Sequence, residues 1–165
     1  MAAATTGKAY DLECSVARTL ESIGERWSLL ILRDAFYGLR RFDDFQASLG
    51  IARNILTKRL AGLVESGVMR REQYQERPPR FEYRLTEKGR DLAPALTALL
   101  AWGDKWECPE QPPTRLIHTE CGSVIQSRAV CSHCGDPIDA FNLRMEPVPP
   151  LVAERLRQRG SALPA

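Results

Sequence analysis

No apolar run in the 165-residue sequence approaches the roughly 18 residues that a membrane-crossing helix needs, so no helical span is expected. The opening MAAATTGKAYDLEC lacks the basic, apolar and cleavage order of a secretory signal; it reads as a short loose leader, and a cytoplasmic location is expected. Histidine is scarce, and both copies, His118 and His133, lie far along the chain. No nucleophile motif or phosphate-binding glycine loop accompanies them, so an enzyme is not expected. Cysteine is odd in number, five, with three gathered between Cys121 and Cys134, which argues against a disulfide framework and for thiols used as metal ligands or redox groups. The net charge of +2 is too small to say anything about nucleic acid by itself.

The distribution of charge says more. Arg40 to Arg90 holds 12 Lys and Arg against 7 Asp and Glu, an excess of +5, whereas Glu107 to Ala165 holds 6 against 7, or −1. The excess is centred on IARNILTKRLAGLVESGVM, Ile51 to Met69. Its apolar Ile51, Ile55, Leu56, Leu60, Leu63 and Val64 recur at helical spacing, and Arg53, Asn54, Thr57, Lys58 and Arg59 crowd the other side. Gly67 stands where a helix wants a left-handed residue past its end, and Gly50 separates this helix from an amphipathic Phe42 to Leu49. Two helices joined by a glycine-containing turn, the second carrying exposed Arg, Asn, Thr and Lys, form a helix-turn-helix pattern.

Cys14 to Gly24 reads as a first amphipathic helix, and Ser28 to Tyr37 as a helix apolar almost all round and buried in the domain. After Gly67 the period becomes alternating: Val68–Tyr74 and Arg80–Leu85 are expected strands, with the Pro78-Pro79 loop as their tip. A helix from about Thr86 to Trp106 follows, with a bend tolerated at Pro94. Leu92, Leu96, Leu99, Leu100 and Trp102 give it more apolar surface than so small a domain buries alone, which predicts a homodimer.

The expected domains are 8–107, a linker at 108–115, a module at 116–142 and a tail at 143–165 with a short helix at Leu151–Arg159. In the module, His118-Thr119-Glu120-Cys121-Gly122 and Cys131-Ser132-His133-Cys134-Gly135 make two matched glycine-closed corners, with nine residues between Cys121 and Cys131. Two ligands three apart in each corner suit a tetrahedral Cys3His site for one structural zinc per chain, bound by His118, Cys121, Cys131 and Cys134. His133 and Cys108 compete for places, and a metal-free packed hairpin is the alternative. The expected fold class is mainly α within α+β: a winged helix-turn-helix domain with a two-stranded wing, plus a small zinc-ribbon-like β hairpin.

Major-groove reading needs long donors near a helix N-terminus, which selects Arg53 and Asn54 for base edges. Thr57, Lys58 and Arg59 lie further along and suit phosphates, although Arg59 could instead pair with Glu65 or another acid. Arg77 and Arg80 at the wing tip suit the backbone or a minor groove, and Arg41 adds a phosphate contact.

From about Cys14 to Trp106 the chain resembles the HxlR-type winged helix-turn-helix regulators of bacteria. The likeness is carried by Cys14-Ser15-Val16, Ile23-Gly24-Glu25-Arg26-Trp27-Ser28-Leu29-Leu30-Ile31-Leu32-Arg33-Asp34, Arg41-Phe42-Asp43-Asp44-Phe45, Leu56-Thr57-Lys58-Arg59-Leu60, Pro78 to Thr86, Lys88-Gly89 and Trp102-Gly103. The resemblance implies a homodimer held by its outer helices on a pseudo-palindromic DNA operator, with a small-molecule or redox effector. It also implies that the cysteine before the first helix, Cys14, can be a redox sensor; the residue itself also fits a small packed apolar role. One departure is Ala52 where many relatives have serine, which removes a side-chain cap worth about 1 kcal/mol. The resulting expectation is a sequence-specific regulator on double-stranded DNA. The alternative is a protein-interaction module that uses a winged scaffold and a zinc ribbon as its contact surface.

Overall fold

The computed structural model describes Tyr10, Leu12, residues 14–146 and residues 148–158; most of the N-terminal leader and the last residues of the tail lie outside these. The chain divides into two compact units, Met1–Pro112 and Pro113–Ala165.

The first unit contains α1 (Ser15–Ile23), α2 (Ser28–Phe36), α3 (Phe42–Leu49) and α4 (Arg53–Glu65). An antiparallel pair, β1 (Met69–Gln75) and β2 (Arg80–Leu85), follows, then α5 (Glu87–Arg90) and α6 (Ala93–Trp106). Helical spacing explains α4: Leu56, Leu60 and Leu63 turn inward and are buried, and Thr57, Lys58 and Ala61 remain outside. These leucines join Ile23, Ile31, Leu32, Phe45, Ile51, Val68 and Met69 in one core. Full burial of each such side chain stabilises by about 1.5–3 kcal/mol.

Glycine sets both ends of the helix-turn-helix. Gly50 at φ 62° closes α3, its N–H bonded to Gln46 O. Gly67 at φ 71° closes α4 with two crossed bonds, Gly67 N–H to Val64 O and Val68 N–H to Leu63 O, both 3.0 Å. Ile51 is buried in the turn, and α4 begins at Arg53. The end of the wing is then tied back to the end of α4. The Thr86 hydroxyl donates to Gly67 O at 2.7 Å and accepts from Gly89 N–H at 3.2 Å, capping α5.

Two expectations need correction. Helix α2 is not buried all round: Ser28, Ile31, Leu32 and Asp34 are covered, whereas Leu30, Arg33 and Phe36 are exposed. Its neighbours α3, α4 and α6 cannot enclose a whole helix, and the buried Asp34 takes two bonds from Arg33 on Oδ1, at 2.9 and 2.7 Å, while its Oδ2 has no partner among the described residues. The long helix from Thr86 is also broken, α5 ending at Arg90 and α6 starting at Ala93. Pro94 has no N–H for the carbonyl of Arg90 and its ring would clash there, so the chain restarts with proline in the first turn.

The second unit contains the two-stranded pair β3 (Leu116–Ile117) and β4 (Val124–Ile125), an isolated bridge between Val130 and Pro137, and α7 (Pro150–Gln158). None of its described residues is buried.

Candidate nucleic-acid interface

Arg53, Asn54, Thr57 and Lys58 all lie exposed along one side of α4. Ala52 provides no side-chain cap; the Ile55 N–H is shared between Ala52 O at 3.0 Å and Asn54 Oδ1 at 2.9 Å. That engages one lone pair of the carbonyl oxygen and leaves the amide NH2 as a donor. Thr57 spends its hydroxyl proton on Arg53 O at 2.8 Å, so it presents lone pairs and a methyl group and not the donor that a phosphate needs. Arg53 rests 4.6 Å above the Phe42 ring with Asp43 Oδ1 at 3.4 Å. Both charged side chains are well exposed, at 69% and 84%, so this pair holds Arg53 only weakly. Lys58 has no carboxylate within salt-bridge distance among the described residues.

Arg59 does not belong with them. Its guanidinium pairs with Glu25 at 2.7 Å and only 19% of the side chain is exposed, because position 59 has rotated toward the loop between α1 and α2. The acid-paired alternative is the one observed, with Glu25 in place of Glu65.

On the wing, register decides which arginines are free. Arg70 pairs across to Arg84 and Glu72 to Glu82, so two acids and two bases share one face. Arg70 bonds Glu72, and Arg84 meets Glu72 at 3.1 Å and Glu82 at 2.6 Å. The hydrogen bond from Arg70, aided by the charges of Arg84 and Arg40, holds the Glu72 carboxyl below its usual range. Arg71, Arg77 and Arg80 are exposed and have no acid partner among the described residues. Gln75 Nε2 braces the tip by donating to Arg77 O at 3.0 Å. Arg41 precedes α3 and lies 5.0 Å over the Tyr74 ring, which bridges the start of α3 to the wing. The exposed donors are therefore Arg53, Asn54 and Lys58 on the helix and Arg41, Arg77 and Arg80 around the wing, with Arg71 on the wing face opposite Arg41.

A family model for the HxlR-like helix-turn-helix matches residues 22–111, more than half of the chain. The chain belongs to the HxlR-like helix-turn-helix family. An uncharacterized HTH-type transcriptional regulator of Mycobacterium bovis is 51% identical over 136 residues, 82% of this chain and 86% of that protein. A stretch that long necessarily takes in residues 30–136, past the end of the family match. The crystal structure of PA1607, proposed to be a transcription factor, matches with a TM-score of 0.75 at 43% identity over 84% of this chain and 97% of its own. The reduced form of the redox regulator HypR matches with a TM-score of 0.53 at 32% identity over 59% of this chain and 100% of its own. This HxlR-like protein is a transcriptional regulator with a winged helix-turn-helix DNA-binding domain, and among its described residues no helix is long and apolar enough to cross a membrane.

Two further features of the HxlR-like chain lie away from α4. Cys14 is the N-cap residue of α1, exposed, with no side-chain cap bond, so it is not packed as a small apolar residue. In the tail, His118 Nδ1 lies 3.4 Å from Cys121 Sγ. Bonds from the Ser123 side chain and backbone lower the Cys121 thiol pKa, and the backbone of Cys134 and His133 with the Cys134 thiol lower that of Cys131. Among the described residues no three His, Cys, Asp or Glu side chains converge on one point, so the four expected ligands stand as two pairs. Cys108 and His133 are exposed. The residue that sequence reading passed over is Arg71, 3.5 Å from the Phe81 ring centre; strand parity separates it from the acid-bearing face and was the available signal.

Proposed function

We propose that the chain acts as a homodimer on a pseudo-palindromic operator, with α4 in the major groove and the wing against the flanking backbone. The supporting observation is the set of exposed donors, Lys58, Arg77 and Arg80 without an acid partner among the described residues, the Asn54 amide, and Arg53 held only by an exposed Asp43. Arg53 and Asn54 reach base edges; Lys58, Arg41, Arg77 and Arg80 hold phosphates, and Thr57 offers its methyl group and lone pairs to the groove. One helix and one wing cover half a site, so a second copy is required. The outer helices leave Val16 and Leu20 on α1 and Leu99, Trp102 and Trp106 on α6 exposed, an apolar surface for that copy. Cys14 at the start of α1 is the candidate effector-responsive thiol, a reading supported by the likeness to HypR.

Selection of bound sequences from a random duplex pool tests both parts of the reading. The expected product is two inverted half-sites about one helical turn apart, or a multiple of it. A single unrepeated half-site bound by a monomer would remove the dimer, and no enrichment at all would favour the protein-interaction module.

A further inference from the structure

The two corners of the tail repeat one another bond for bond. At the first, His118 N–H donates to Ser123 O at 3.0 Å and Gly122 N–H to His118 O at 2.8 Å. At the second, Cys131 N–H donates to Asp136 O at 2.8 Å and Gly135 N–H to Cys131 O at 2.9 Å. Both glycines are left-handed, at φ 69° and 80°, a turn that a residue with a Cβ takes at a cost. His118 and Cys131 thus hold equivalent places, as do Cys121 and Cys134. Each corner tips its own short ribbon, β3–β4 for the first and the Val130–Pro137 bridge for the second.

The separation inside the first corner already matches that of two ligands on one ion. Ligands at Zn–N of about 2.0 Å and Zn–S of about 2.3 Å across a tetrahedral angle stand roughly 3.5 Å apart. His118 Nδ1 and Cys121 Sγ are at 3.4 Å. A dithiol redox pair would use the second corner alone and leave a histidine-bearing copy of it unexplained. A self-supporting hairpin would bury apolar side chains, and Ile117, Val124 and Val130 are 60%, 62% and 52% exposed.

We propose that the corners are the two halves of one Cys3His zinc site, His118 through Nδ1 with Cys121, Cys131 and Cys134, which a single ion closes by drawing the pairs together. The ion binds the thiolate form, so the thiol protons leave to solvent on binding. Three thiolates and an imidazole in a tetrahedron select zinc over harder cations. With four protein ligands the site has no open position for water, so its role is structural. The inference goes beyond the DNA-binding reading and stands or falls separately from it.

The test uses the full chain purified under reducing conditions without chelator, with zinc measured by elemental analysis and the stripped protein titrated with Co(II). About one zinc per chain and an intense tetrahedral thiolate spectrum with Co(II) are expected. Cys131→Ser and Cys134→Ser should each lose that spectrum, and His118→Cys should keep a tetrahedral one shifted toward four sulfurs. Cys108→Ser should change neither reading. Duplex binding by the same samples reports separately on the winged unit. No metal uptake by the reduced wild-type chain would overturn the proposal, as would a Cys108→Ser effect equal to that of Cys134→Ser or a weak octahedral Co(II) spectrum.

Discussion

The two units of this chain solve the problem of holding a shape by different means. In the first, Ile31, Leu32, Phe45, Leu56 and Leu60 are at 0% exposure; in the second, Phe141, Met145 and Leu151 are at 99%, 86% and 73%. The winged unit is stabilised by area removed from water, and each backbone feature around it refines an existing core. The tail has no such core among its described residues, so its order depends on turn geometry and on whatever bridges its corners. Core substitutions should therefore separate the two units sharply.

Leu60→Ala should produce the largest effect, a loss of about 2–5 kcal/mol in the unfolding of the winged unit, because it opens a cavity at the centre of α4's buried face. Val124→Ala in the tail, exposed in β4, should stay within about 0.5 kcal/mol. Denaturant titration followed by tryptophan fluorescence reads the first unit, since Trp27, Trp102 and Trp106 all lie there, and pulse proteolysis beyond Pro113 over the same titration reads the second. Equal losses from the two substitutions would mean that the tail carries a core of its own.

Backbone crowding gives a second, smaller contrast. A Cβ on Gly89 would come within 2.2 Å of Val68 O, at the junction where Thr86 ties the wing to α4, so Gly89→Ala should cost about 1–3 kcal/mol. Gly62 in α4 has nothing within 4 Å of such a Cβ, and Gly62→Ala should stabilise by about 0.4–1 kcal/mol. If both destabilise alike, the close packing at Gly89 is not what requires glycine there.

Much of the winged unit was legible because its code is local. Helical spacing in Ile51 to Met69, the left-handed glycines at 50 and 67 and the alternation after Met69 each report on neighbouring residues. What escaped depends on partners far along the chain or on competition within one helix. Nothing near Arg59 points to Glu25, 34 positions earlier, and only the packed fold brings them to 2.7 Å. Thr57 looks like a free donor and Asn54 like a free carboxamide in sequence, yet the Thr57 proton goes to Arg53 O and the Asn54 oxygen accepts the Ile55 N–H. Composition showed an apolar α2 but not which neighbours would leave Leu30 and Phe36 open. Pro94 was visible and its effect underestimated: one missing N–H was enough to divide the helix.

Duplex affinity should follow the same division of the molecule. Arg53→Ala should relax preference at particular base pairs by about 1–3 kcal/mol each, whereas Arg77→Ala or Arg80→Ala should weaken binding to every sequence and reduce the salt slope by about one. Arg155→Ala, in the charge-balanced tail, should alter neither quantity. Filter binding at several salt concentrations, on selected and random duplex, separates these outcomes. Equal loss on both duplexes for Arg53→Ala would move Arg53 from base to phosphate.

The smallest expected effect lies at the start of α4, where an improved cap can add only a little to a helix already held by Leu56, Leu60 and Leu63. Ala52 has extended backbone angles, φ −62° and ψ 140°, suited to a capping residue, but no oxygen to offer. Asn54 Oδ1 shares the Ile55 N–H with Ala52 O, which engages one lone pair of the oxygen it would use to read adenine with both amide atoms. Ala52→Ser should therefore stabilise the winged unit by about 0.5–1 kcal/mol, toward the low end because one orphan donor is already satisfied. In an Asn54→Ala background the same substitution should gain more, since the serine then replaces a lost cap. With Asn54 in place, Ala52→Ser should also release its oxygen and sharpen discrimination at the base pair that residue meets. A double-mutant cycle on unfolding free energy measures the coupling directly. Strict additivity between positions 52 and 54 would show that Asn54 does not cap α4 and that its carboxamide is free in solution.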